Sequence, residues 1–182
     1  MLDPVTHSYP ISADVNSSYA RTHGQYPATD VFAACGSEIL AMATGTVSEI
    51  RTVDTYEKAT DNPALRGGMS VAVIGDDGMR YYASHFGDVT VTRGTRVMAG
   101  QALGIIGLTG DSTACHTHIG LSPTCAGIEW SVRRGVIWPW PYLDDWRRGG
   151  SKSPVGEIAV WAAAHPTACA DAMADPFAPD AG

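Results

Sequence analysis

Two β-branched, apolar segments at residues 70–74 and 79–85 are separated only by Gly75-Asp76-Asp77-Gly78. An Asp-Gly step between such segments marks a tight hairpin, because its central positions need the positive φ that Asp and Gly tolerate best. A chain with this element at its middle must build an antiparallel ladder around it. The surrounding sequence agrees. Residues 45–50 and 89–92 alternate polar and apolar, residues 102–106 form a buried-strand candidate, and residues 116–121 continue extended to Ser122-Pro123. Short strands separated by regular turn signals predict a mainly β fold, an antiparallel β-sheet domain with an open groove. Residues 51–68 lack periodicity and carry Asn62-Pro63 and Gly67-Gly68, so they read as a long loop suited to wall that groove.

The C-terminal part has a different character. Gly149-Gly150-Ser151-Lys152-Ser153 reads as a linker, and Ser153-Pro154 as a helix start. Val155, Ile158, Ala159 and Ala162 then follow at helical spacing until Pro166. The expected organisation is a main domain over residues 1–148, followed by a linker, a short C-terminal helix and a disordered tail over 149–182.

Composition removes several classes of function. With 45% hydrophobic and 17% charged residues the chain is globular. A net charge of -7, with Lys58 and Lys152 its only lysines, argues against nucleic acid, whose binders carry a basic stripe. Arg133-Arg134 and Arg147-Arg148 read as a solvated basic edge. No apolar run is long enough for a transmembrane segment, and the N-terminal Met1-Leu2-Asp3-Pro4-Val5 does not read as a signal peptide. Trp130, Trp138, Trp140 and Trp146 either pack the segment after the last strand onto the core or line a groove. Cys35, Cys115, Cys125 and Cys169 form no C-x-x-C pair, so a thiolate metal site is not expected. Because Cys115 and Cys125 bracket one strand, the favoured connectivity is Cys115–Cys125 with Cys35–Cys169. Four buried thiols are the alternative, and bridges would place the chain in an oxidising compartment.

The chemistry concentrates in His116-Thr117-His118. On a strand, residues two apart share a face, so both imidazoles can address one metal and its water. His23 and Asp30 lie in and beside a loop turned by Tyr26-Pro27, and Asp30 either ligates a metal or merely solvates the start of Val31-Phe32. His85 ends the segment at 79–85, where Tyr81 and Ala83 are expected on its face. His7 and His165 have no partner pattern.

Several of these residues occur as ordered motifs. His23 through Asp30, Cys35-Gly36-Ser37-Glu38-Ile39-Leu40-Ala41, Tyr81-Tyr82-Ala83-Ser84-His85, the run 94–104 and Gly107-Leu108-Thr109-Gly110-Asp111-Ser112 leading into His116-Thr117-His118-Ile119 together resemble the lysostaphin/LytM-type zinc metalloendopeptidases. The resemblance covers roughly residues 9–121, and Trp138-Pro139-Trp140-Pro141-Tyr142-Leu143-Asp144 resembles an extension of one bacterial subgroup. It implies that His23, Asp30 and His118 bind Zn2+. His116 would act as base and His85 would hydrogen-bond the developing intermediate. The implied reaction is hydrolysis of peptide bonds in bacterial peptidoglycan stems or crosslinks, outside the cytoplasm, with a D-alanyl–diaminopimelate bond preferred over a glycine bridge. Two departures stand out. Six residues separate His23 from Asp30 where the family more often has a shorter spacer. Tyr82-Ala83-Ser84-His85 also carries one residue more than the commoner Tyr-x-His. The competing expectations are a non-catalytic module that binds cell wall or activates an amidase, and a disulfide-stapled β domain with incidental histidines.

Overall fold

A computed structural model describes residues 6–24, 26–126 and 135–174, with 172–174 as backbone only. Trp130, Arg133-Arg134 and the 175–182 tail therefore lie outside the described residues. The strands are β1 (Ser18–Tyr19), β2 (Thr29–Phe32), β3 (Glu38–Leu40), β4 (Gly45–Arg51), β5 (Met69–Gly75), β6 (Arg80–Val89), β7 (Arg96–Val97), β8 (Ala102–Ile106) and β9 (His116–Ser122). Three helices follow: α1 (Trp140–Trp146), α2 (Val155–Ala164) and α3 (Ala168–Ala174). All nine strands join one antiparallel sheet in the order β1-β2-β9-β6-β5-β4-β7, with β8 paired to both β6 and β3. The fold is thus mainly β, as the hairpin and turn spacing predict.

The Asp-Gly hairpin is β5–β6. Gly78 adopts φ 79, the conformation for which glycine is suited, and the Gly75 amide donates to the Met79 carbonyl at 2.9 Å. Tyr81, Ala83 and Phe86 of β6 face the core with Val71 and Val73 of β5, Ile119 and Leu121 of β9, Val31, Ile39 and Ile106. Period-two alternation puts the intervening residues of β2, β6 and β9 on the opposite face, where the cleft opens.

His7 is not the unpartnered residue its sequence context suggests. It is buried, stacked parallel on Trp146 at 5.1 Å, with Nε2 2.8 Å from the Tyr81 hydroxyl. Tyr81 in turn donates to Asp77 at 2.6 Å, so the His7 Nε2–H donates to the tyrosine oxygen. This chain of bonds ties the N-terminal segment, the hairpin turn and α1 together. The expected C-terminal helix is α2: Ile158 is fully buried, Tyr142 of α1 donates to Glu157 at 2.6 Å, and His165 caps the helix just before Pro166.

The disulfides differ from the expected connectivity. The bridges are Cys35–Cys115, with Cα atoms 5.2 Å apart, and Cys125–Cys169, at 5.5 Å. Cys115 and Cys125 stand at opposite ends of β9, whose seven residues span roughly 24 Å. A disulfide closes only across less than about 7 Å, so these two cannot pair. Cys35 and Cys115 instead meet where the neighbouring strands β2 and β9 end side by side, with Phe32 opposite His116. Cys125–Cys169 fastens α3 to the loop after β9.

Candidate metal centre and cleft

A cleft of about 510 Å³ opens on the polar face of β2, β9 and β6, and all five expected site residues line it: His23, Asp30, His85, His116 and His118. The register explains most of this. Asp30 lies opposite His118, which lies opposite Ser84, so three neighbouring strands place one residue each in a row across the floor. Phe32 opposite His116 forms the next row. His23 comes from the loop before β2, and Tyr26 of that loop packs on the His23 ring at 4.7 Å and the His118 ring at 5.8 Å. The longer His–Asp spacer therefore adds an aromatic wall and still lets His23 reach Asp30, at 3.7 Å from Nε2 to Oδ2.

His85 arrives by a different route from the one its sequence suggests. A regular strand would put it on the core face with Tyr81 and Ala83. In β6 the register steps from Ser84 opposite Ser70 to Phe86 opposite Met69, leaving His85 as the extra residue of a bulge with φ 64. The bulge turns His85 onto the cleft face behind Tyr82 and Ser84, while Phe86 resumes the core face. A left-handed conformation for a non-glycine residue costs on the order of 1 kcal/mol. Here the His85 amide donates to the Gly67 carbonyl and its carbonyl accepts from the Gly107 amide, both at 2.9 Å, which hold it.

The donor set suits a divalent transition metal. His23, Asp30 and His118 each offer a ligand atom, all within 4.8 Å of one another. His118 Nδ1 lies 2.8 Å from Asp30 Oδ1. Two imidazoles and a carboxylate with a further position open is a donor set used by catalytic zinc. The protonation states agree. Burial alone would raise the Asp30 carboxyl, but the His118 hydrogen bond and the electrostatic pull of the surrounding imidazoles of His118, His116 and His23 outweigh it and hold the group below its usual range. Burial, helped by neighbouring His118, lowers the pKa of His23 and keeps that ring neutral.

His116 and His85 share one arrangement. His116 Nδ1 is 2.8 Å from the Ala114 carbonyl, and His85 Nδ1 is 2.7 Å from the Thr109 carbonyl. A carbonyl only accepts, so each Nδ1 carries a proton and each ring turns its Nε2 away from that carbonyl. The two rings lie 4.6 Å apart, and His116 Nε2 is 3.8 Å from Asp30 Oδ1. Burial pushes His85 down to about 4, so its ring is neutral at ordinary pH.

The loop at 51–68 supplies one wall, as expected, through Pro63, Arg66 and Gly67. Arg66 donates to both Asp61 oxygens, at 2.9 and 2.6 Å, and so holds Asp61 at about 2. Gly110, with φ 72, stitches this wall to the loop before β9: a Cβ there would collide with the Arg66 carbonyl and the Gly68 amide. Gly110→Ala is expected to destabilise the domain by about 2 kcal/mol or more. Chemical denaturation checks this, and an unchanged midpoint would show that the two loops are not rigidly joined. The alternation of β6 could have revealed Tyr82 and Ser84 as cleft residues. The Ala114 and Thr109 carbonyls that orient the histidines carry no side-chain signal.

Residues 24–129 match the model of peptidase family M23. Among solved structures, the catalytic domain of the antimicrobial peptidase lysostaphin from Staphylococcus simulans is similar, with 26% identity, a TM-score of 0.55, and coverage of 71% of this chain and 93% of that domain. Against whole lysostaphin the identity is 24% and the TM-score 0.57, over 81% of this chain and 58% of that one. A protein described as a glycyl-glycine endopeptidase, LytM, from Ruminococcus gnavus shares the fold at 19% identity and a TM-score of 0.59, over 80% of this chain and 62% of that one. No functionally curated protein matches the chain at the sequence level.

Proposed function

Because the chain belongs to peptidase family M23, we propose that it is a zinc metalloendopeptidase that hydrolyses peptide bonds in bacterial peptidoglycan stems or crosslinks. The observation that carries this reading is the placing of a metal-capable His23–Asp30–His118 trio beside two further imidazoles in the same cleft, His116 and His85, each held at Nδ1 by a backbone carbonyl. When bound, zinc would supply Lewis acidity and lower the pKa of a water to about 7.

The residues then divide the work. His23, Asp30 and His118 would hold the ion. His116 takes the proton of the attacking water on Nε2 and delivers it to the leaving nitrogen. The Ala114 carbonyl keeps Nδ1 protonated throughout and stabilises the imidazolium between the two transfers. His85 in its neutral form is an acceptor at Nε2. From there it can accept a hydrogen bond from the attacking water or from a hydroxyl of the tetrahedral intermediate, and it offers no proton to a bare oxyanion. The two disulfides fit action in an oxidising space outside the cytoplasm, and no described helix is long and apolar enough to cross a membrane.

The test is to measure bound zinc and then incubate the protein with purified peptidoglycan, with and without a chelator, identifying products by mass spectrometry. Peptide cleavage that disappears with the chelator and returns with added zinc is expected. Binding to the wall with no new products would make the chain a non-catalytic or amidase-activating module, and a protein that takes up no zinc would overturn the metal centre.

A further inference from the structure

Among the large apolar side chains left exposed in the described residues, only Phe32 lines the cleft. It is 40% exposed, although Val31 beside it is fully buried. It occupies the same face of β2 as Asp30, two residues further along, or roughly 7 Å. Its ring stacks on His116 at 5.1 Å and 30°. Beside His116 the cleft is lined by Ser112 and Ala114, whose hydroxyl and carbonyl lie 3.4 and 2.8 Å from its Nδ1. An open phenyl face in such surroundings gains nothing from water and is stabilised only when apolar surface covers it, at about 25 cal/mol per Å².

Phe32 is not needed to orient His116, because the Ala114 carbonyl already fixes that ring through Nδ1. What remains is an apolar platform beside the group that handles the proton, continuous with the site and open to whatever lies across it. A glycine residue has no side chain to set on this platform. A residue with a methyl or longer aliphatic side chain has one.

We infer that Phe32 is a specificity-determining residue. It selects peptide substrates whose residue beside the scissile bond, on the His116 side, carries a small aliphatic side chain, and it disfavours glycine there. The inference rests on the endopeptidase reading and names the substrate class for it. The expected discrimination is that of one or two methyl groups against an apolar surface, about 10-fold to 100-fold in kcat/KM.

The test uses zinc-loaded full-length protein and synthetic peptides that carry glycine or alanine, in either configuration, on each side of the cleaved bond. Wild-type protein is expected to prefer an alanyl peptide at least about 10-fold. Phe32→Ala should lose about that factor more on the alanyl peptide than on the glycyl peptide, so that the preference disappears. Phe32→Leu, which restores an apolar platform without the ring, should recover most of the preference. Zinc stoichiometry and melting temperature establish that both variants are folded. Equal losses on both peptides would overturn the inference, since Phe32 would then act only by supporting His116. Equal wild-type rates on both peptides would overturn it as well, leaving the endopeptidase reading intact. A zinc-loaded wild type that cleaves neither peptide nor peptidoglycan defeats both.

Discussion

His116→Ala is expected to lower peptidoglycan hydrolysis by about 10³-fold or more while leaving zinc bound. The separation follows from the strand and its neighbours. His116 and His118 share a face of β9, but the ligand atoms that lie within 4.8 Å of one another are those of His23, Asp30 and His118, while His116 Nδ1 is committed to the Ala114 carbonyl. Removing the His116 ring therefore takes away the proton acceptor and leaves His23, Asp30 and His118 in place. Asp30→Asn is the contrasting variant, which should lose metal and activity together. Metal analysis beside product quantification checks both. A His116→Ala protein that no longer holds zinc would make His116 a ligand, and one that still cleaves would remove it from the chemistry.

Breaking the Cys35–Cys115 bridge should have the largest effect on stability, with a consequence at the site. In the chain-entropy account, a crosslink between residues 80 apart is worth about 4.5 kcal/mol, and one between residues 44 apart about 4 kcal/mol. The two loops do not overlap in sequence, so their contributions are expected to add. Together they rival the whole stability of an ordinary domain. The bridges differ in what they hold. Cys35–Cys115 clamps the ends of β2 and β9, the strands that present Asp30, His116 and His118. Cys125–Cys169 fastens α3, away from the ligands. The double variant Cys35→Ser/Cys115→Ser should therefore lose stability and bind zinc more weakly. Cys125→Ser/Cys169→Ser should lose stability alone. Urea titration and chelator competition on both variants read this out, and equal zinc affinity in the two would count against the clamp.

Local signals reached most of the sheet and the shared face of His116 and His118; it was the resemblance that drew His23, Asp30 and His85 to the same site, and the exceptions have physical causes. The Asp-Gly hairpin, the strand at 102–106 and the face shared by His116 and His118 follow from turn chemistry and period-two alternation, which act over a few residues. β1 and β7 have two residues each, too few to show a period; their pairing is set by the strands beside them. The loop at 51–68 was legible as a cleft wall because it lacks any period. α1 begins Trp140-Pro141 and carries neither side-chain cap nor charge pattern; burial of Tyr142, Leu143 and Trp146 makes it a helix. The disulfide pairing was within reach. Once residues 116–122 are a strand, Cys115 and Cys125 stand a strand-length apart, and the bridge between them is excluded by distance alone. His7 was out of reach, because its partners Tyr81, Asp77 and Trp146 come from distant parts of the chain.

The bulge at His85 separates spacing along the chain from spacing in the cleft. Tyr82 and His85 are three residues apart, which on an unbroken strand would send them to opposite faces. One residue in a left-handed conformation absorbs the difference, and both side chains line the same wall. A one-residue insertion in the middle of a catalytic strand is thus silent at the site if it falls where the strand changes neighbours. β6 does so here, leaving β9 at Ser84 and joining β8 at Phe86. The seam between two strand pairings is where this scaffold can lengthen without losing register at the metal. Patterns that demand a fixed Tyr-to-His interval will pass over relatives that carry the same cleft.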